Sequence, residues 1–123
     1  MNAVWVTTSF EGVHRWPEAP PLVDFLRNFH RHVFYVKVTV LVSHNDRDVE
    51  FFTLKMHVDL VIKQITDNDF NLGRSSCEDM AKSIFTALSV IHEDQKPMYN
   101  VWSVEVSEDN ENGAIVYKDD QSC

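Results

Sequence analysis

The chain predicts a single α+β domain whose elements run in the order β-β-α-α-β-β. Three observations carry this. A long stretch of β-branched and aromatic residues lies near the start, two central stretches repeat their apolar residues at helical spacing, and alternation returns near the end. The 123 residues suffice for one domain with a sizeable core but not for two, so 1–123 is read as one unit. With 44% hydrophobic residues and three glycines, the composition is that of a folded chain.

Residues 3–10 (Ala-Val-Trp-Val-Thr-Thr-Ser-Phe) read as a first strand, and Glu11 to Trp16 either continue it or bend at Gly12. Pro17-Glu18-Ala19-Pro20-Pro21 breaks any regular element, and 22–29 is a short loop or helical turn. Residues 30–43 form the clearest strand. Its even positions, His32, Phe34, Val36, Val38, Val40 and Val42, make a nearly unbroken apolar face, while Tyr35, Lys37, Thr39 and Ser43 mix the other. One face is therefore covered, and the other meets water or a neighbouring subunit.

His44 to Asp48 is a turn. From about Val49 the period changes, with Phe51, Leu54, Val58, Val61, Ile62 and Ile65 on one helical stripe. Asp67-Asn68-Asp69 and Asn71-Leu72-Gly73 end that helix. A second starts at Ser75 or Ser76, since Ser75 with Glu78, or Ser76 with Asp79, makes a capping box. Its stripe is Met80, Ala81, Ile84, Leu88 and Ile91, and it stops before Lys96-Pro97. Tyr99 to Ser107 alternates as a third strand, Asn112-Gly113 signals a turn, and Ala114 to Tyr117 is a short fourth strand. Trp5, Trp16 and Trp102 read as core or interface residues.

Eleven basic residues against 19 acidic ones leave a net charge of −8, which argues against nucleic acid or an anionic membrane surface as partner. No apolar run approaches the ~20 residues of a membrane span, and the expectation is a soluble, cytoplasmic protein. Two cysteines, Cys77 and Cys123, make no disulfide framework. Cys77 opens a helix, where the dipole would lower a thiol pKa; with no histidine partner visible, it reads as structural.

The residues that point to chemistry are histidines. Side chains alternate along a strand, so His30 and His32 share a face roughly 6–7 Å apart at Cα, within reach of one ion. His14 ends another strand-like run. Three histidines with a free fourth position are the layout of a catalytic zinc site; the alternative is three unrelated histidines near strand ends.

The element order and its local motifs resemble the 6-pyruvoyl-tetrahydropterin synthase family, which includes the bacterial 6-carboxytetrahydropterin synthases of the queuosine pathway. Phe10-Glu11-Gly12-Val13-His14-Arg15 is similar to the family's Phe-x-Ala-Ala-His-Arg strand end, and Asn28-Phe29-His30-Arg31-His32 to its His-Gly-His segment. Glu50-Phe51-Phe52-Thr53-Leu54-Lys55 and Ser75-Ser76-Cys77-Glu78-Asp79-Met80-Ala81 resemble its two helix starts, and Val106 to Asn110 with Val116-Tyr117-Lys118 its last hairpin. The resemblance spans almost the whole chain. It implies a tunnelling fold, a four-stranded antiparallel sheet with two helices on one face, assembled into a hexamer-like ring with sites between subunits. It also implies zinc on His14, His30 and His32, and a pterin-like ring held by Glu108 through a bidentate contact to adjacent N–H donors. Ser76 is a helix cap and a candidate ligand contact.

The chain departs from the family where protons move. The catalytic cysteine that precedes the His-Gly-His segment is absent, and Asp24 falls about where it stands in the longer-spaced members. The family's Asp-His pair between the helices has no histidine counterpart, although Asp67 and Asp69 are present, and Arg31 replaces the glycine between two ligands. Two function classes follow. One is a zinc-dependent carbon–oxygen lyase on a reduced pterin or dihydroneopterin triphosphate-like substrate, with Asp24 as proton shuttle. The other is a catalytically inactive protein that binds a pterin or purine-like ligand. A purely structural ring protein is a third possibility.

Overall fold

The structure, a computed structural model, describes residues 1–66 and 70–119. Asp67, Asn68, Asp69 and Cys123, which figure in the sequence reading, lie outside the described residues.

Two long strands, β1 (Asn2–His14) and β2 (His30–Val42), open the chain, with a 3-10 segment at Pro21–Arg27 between them. Helices α1 (Phe51–Ile65) and α2 (Cys77–Ser89) follow, then a two-residue hairpin of β3 (His92–Glu93) and β4 (Lys96–Pro97), and finally β5 (Asn100–Glu108) and β6 (Asn112–Tyr117). The main sheet is antiparallel throughout, in the order β1-β2-β5-β6, with both helices on one face: α1 over β1, and α2 over β5 and β6. Gly12 does not bend β1, which pairs with β2 in unbroken register from Asn2↔Val42 to His14↔His30.

The alternation on β2 is what the helices cover. Phe34, Val36, Val38 and Val40 are fully buried against Leu54 and Val58 of α1 and Met80, Ile84 and Leu88 of α2. Burying side chains of this size stabilises by about 1.5–3 kcal/mol each. Phe51 departs from the predicted stripe: as the first residue of α1 it is exposed. Trp5 and Trp16 are also about half exposed in the single chain, while Trp102 is half-buried with its ring edge against Tyr117.

The third strand does not alternate evenly. The β2–β5 register slips between Thr39↔Ser103 and Val40↔Val101, so Trp102 is an extra residue in β5. Before this bulge Tyr99 and Val101 are buried with the core, and after it Val104 and Val106 are. The inward phase thus changes from odd to even positions, which carries Glu108 onto the core face opposite Phe34.

Candidate metal centre

The core face runs past the end of the helical cover, and there its residues change from apolar to metal-ligating. His14 and His30 are directly opposed across β1 and β2, and His32 is two residues further along the same face. Glu108 arrives from β5. One ligand atom from each of His14, His30, His32 and Glu108 can be chosen so that all four lie within 4.8 Å of one another. The floor is aromatic: Phe34 meets His14 at 5.3 Å and His32 at 5.7 Å between ring centroids, both edge-on, and stacks on Phe10 beneath.

Each imidazole is oriented through Nδ1. His14 Nδ1 lies 2.9 Å from the Ser75 carbonyl, His30 Nδ1 2.9 Å from the Asn28 carbonyl, and His32 Nδ1 2.8 Å from Asp109 Oδ2. All three partners are acceptors, so each Nδ1 donates its proton and the Nε2 lone pair is left for the shared space. The Ser75 carbonyl reaches His14 because residues 71–75 run alongside the end of β1. The Leu72 amide donates to Val13 O and the Arg15 amide to Gly73 O, both at 2.9 Å. Gly12 allows this approach, since a Cβ there would sit 3.1 Å from both Phe70 O and Leu72 Cδ1.

At Nε2 the rings of His14 and His32 share a single carboxylate oxygen. Glu108 Oε2 lies 3.1 Å from His14 Nε2 and 2.8 Å from His32 Nε2. The second contact lacks hydrogen-bond alignment, and His32 Nε2 is buried without a hydrogen-bond partner. A carboxylate facing imidazole lone pairs is a donor set that a cation between them would satisfy. Three histidines and one carboxylate therefore fit a divalent ion.

A cavity of about 550 Å³ opens beside the cluster, lined by His14, His30 and Glu108 with Arg15, Trp16, Leu26, Arg74, the start of α2, Asn112 and Gly113. The Trp16 amide donates to Leu26 O, which draws the 3-10 segment to its rim. Ser76 lines the cavity and is also the N-cap of α2. Its Oγ accepts the Asp79 amide at 3.0 Å, and Asp79 Oδ2 accepts the Ser76 amide at 3.2 Å, which selects the second of the two capping boxes considered above. Replacing Ser76 by alanine should cost about 1 kcal/mol in denaturant unfolding, and a loss near zero would mean that the cap is dispensable.

Asp24 is exposed on the 3-10 segment and is not among the cavity-lining residues. Cys77 lines the cavity, but its thiol is pushed up to about 12 by burial and by the negative charges of Glu108 and Glu78. The helix dipole does not prevail over them, and the thiol stays protonated at neutral pH. Asp109, which the sequence reading places only within the last hairpin, orients His32. Its carboxyl is held below the usual range by the His32 ring and the Val33 amide. The only sequence signal for it was its place directly after Glu108.

A four-stranded antiparallel sheet with two helices on one face and histidines gathered at a sheet end defines an α+β protein of the tunnelling kind. No protein-family model matches the sequence, and no curated protein matches it. Among solved structures, 6-pyruvoyl tetrahydropterin synthase from Caenorhabditis elegans superposes with a TM-score of 0.69 over 96% of each chain at 18% identity. An uncharacterized protein from Wolinella succinogenes gives 0.65 at 15% identity over 97% of this chain and 100% of the other. The fold is thus that of 6-pyruvoyl tetrahydropterin synthase. No helix among the described residues is long and apolar enough to cross a membrane.

Proposed function

We propose that the protein holds zinc on His14, His30 and His32 and takes a reduced pterin, of the dihydroneopterin triphosphate type, into the adjoining cavity for a carbon–oxygen lyase reaction. The observation that carries this reading is the convergence of three imidazoles whose Nδ1 atoms all face acceptors. Bound zinc supplies Lewis acidity toward a carbonyl or hydroxyl oxygen of the ligand. Glu108 touches His32 and also lines the cavity, and its carboxylate is the group suited to adjacent N–H donors of a pterin ring. Ser76 adds a hydroxyl at the same wall.

Asp24 is the sequence candidate for proton transfer, although it is exposed and does not line the cavity of the single chain. On that assignment Asp24→Asn lowers kcat by about 10²-fold or more, and an unchanged rate would move the role elsewhere. Apart from the end of β1, where Val13 bridges to Asn71, strands β1 and β6 leave the two sheet edges without a partner strand among the described residues, which supports a ring-shaped homo-oligomer in which edges meet and a second chain completes the cavity.

A second reading, a binding protein without turnover, is favoured by Cys77. It is the one cysteine among the described residues, and its raised pKa makes it neither nucleophile nor base. Zinc-supplied protein incubated with a reduced pterin triphosphate separates the two readings. Release of inorganic triphosphate supports the lyase. Stoichiometric ligand recovered unchanged supports the binding protein, and neither release of triphosphate nor retention of ligand overturns both.

A further inference from the structure

His32 is oriented differently from the other two histidines. His14 and His30 face backbone carbonyls, whereas His32 faces a side-chain carboxylate from the turn between β5 and β6. That side chain is tied down on every side. Asp109 Oδ1 accepts the Val33 amide at 2.9 Å, its own amide donates to Val33 O at 2.8 Å, and Oδ2 lies 2.8 Å from His32 Nδ1. Its backbone is left-handed, with φ +55, as is that of Asn110 at +59. Aspartate and asparagine tolerate this region and most other residues do not. The turn thus presents one carboxylate to two consecutive residues of β2, a ligand and its neighbour.

We infer that Asp109 is a positioning residue for the metal centre, holding His32 in the tautomer that carries its proton on Nδ1 and leaves the Nε2 lone pair facing His14 and Glu108. The inference rests on the proposed metal site. Its physical basis is that an ionised carboxylate accepts and cannot donate, so a neutral ring facing it must place its proton there. Glu108 would favour the opposite tautomer, but its 2.8 Å contact with His32 Nε2 lacks hydrogen-bond alignment, and Asp109 prevails. An amide in place of Asp109 reverses the outcome. With its oxygen still on the Val33 amide, its NH₂ faces Nδ1, and the ring proton moves to Nε2, where the lone pair is needed. Partners of this kind typically account for about 10–100-fold in metal affinity.

The test uses full-length wild-type, D109N and D109G proteins, the glycine variant preserving the left-handed turn without the side chain. Ring ¹⁵N chemical shifts of His32 in metal-free protein, at a pH where imidazoles are neutral, report the tautomer. Chelator competition with zinc reports affinity, and thermal unfolding confirms that the variants fold. The expected result is an Nδ1–H tautomer in wild type, an Nε2–H tautomer in D109N, and zinc binding weakened about 10–100-fold in D109N and measurably in D109G. Unchanged tautomer and unchanged zinc affinity in a folded D109N would overturn the inference while leaving the metal site standing. A wild-type protein that takes up no zinc overturns the metal site itself, whatever the His32 tautomer.

Discussion

Changing His30 and His32 together to alanine should abolish metal binding, with zinc falling from about one ion per chain to none by elemental analysis of protein purified without a histidine tag. Two of three imidazoles are lost, and His14 with Glu108 is too sparse a set to retain the ion. The effect should be local. Both residues lie at the start of β2, ahead of the apolar block of Val36, Val38 and Val40, and neither is fully buried. The double variant should therefore keep its helical signal and unfold cooperatively. His44→Ala is the matching control, because His44 sits in the exposed turn after β2. Wild-type protein without metal even after zinc is supplied would remove the basis for catalysis and leave the binding and structural readings.

Phe34→Ala should be the most damaging single change to stability. Phe34 is completely buried on β2, stacks with Phe10 at 5.4 Å, and supports the rings of His14 and His32. Truncating a buried phenylalanine costs about 3–5 kcal/mol, a large share of the about 5–15 kcal/mol that holds a domain of this size. The urea midpoint should fall at constant slope, and zinc affinity should fall with it because two ligands lose their floor. A loss under about 1 kcal/mol would show that neighbouring side chains collapse into the space. Loss of stability with unchanged zinc affinity would show that the Nδ1 bonds alone orient the histidines.

Much of the fold was legible because its signals are local. The β-branched run of β2 and the stripes Leu54–Val58–Val61–Ile62 and Met80–Ile84–Leu88 each specify one element and the face it buries, and the helices cover those faces. The histidine trio was legible for the same reason. His30 and His32 share a face by strand geometry alone, and β1 places His14 opposite His30. Phe51 was misread because a periodic stripe does not tell which residues of a helix's first turn are covered. Cys77 was read as structural for want of a histidine partner, and the surroundings of the thiol, which a helix-start argument does not contain, supply the physical reason: burial and Glu108 raise its pKa where the dipole alone would lower it.

By itself, then, the sequence determined the order of elements, the buried faces of β2 and both helices, and the three imidazoles that share one end of the sheet. Only the tertiary structure decided what completes the site. Glu108 joins the histidines because an extra residue at Trp102 shifts β5 by one; strict alternation continued from Tyr99 and Val101 would turn Glu108 to the other face. Asp109 reaches His32 across 77 residues of chain, and Ser75 reaches His14 across 61, through a turn and a loop whose paths follow from packing. Alternation has a period of two, so a single-residue slip reverses every later side chain. The partner strand, not any nearby residue, sets that slip.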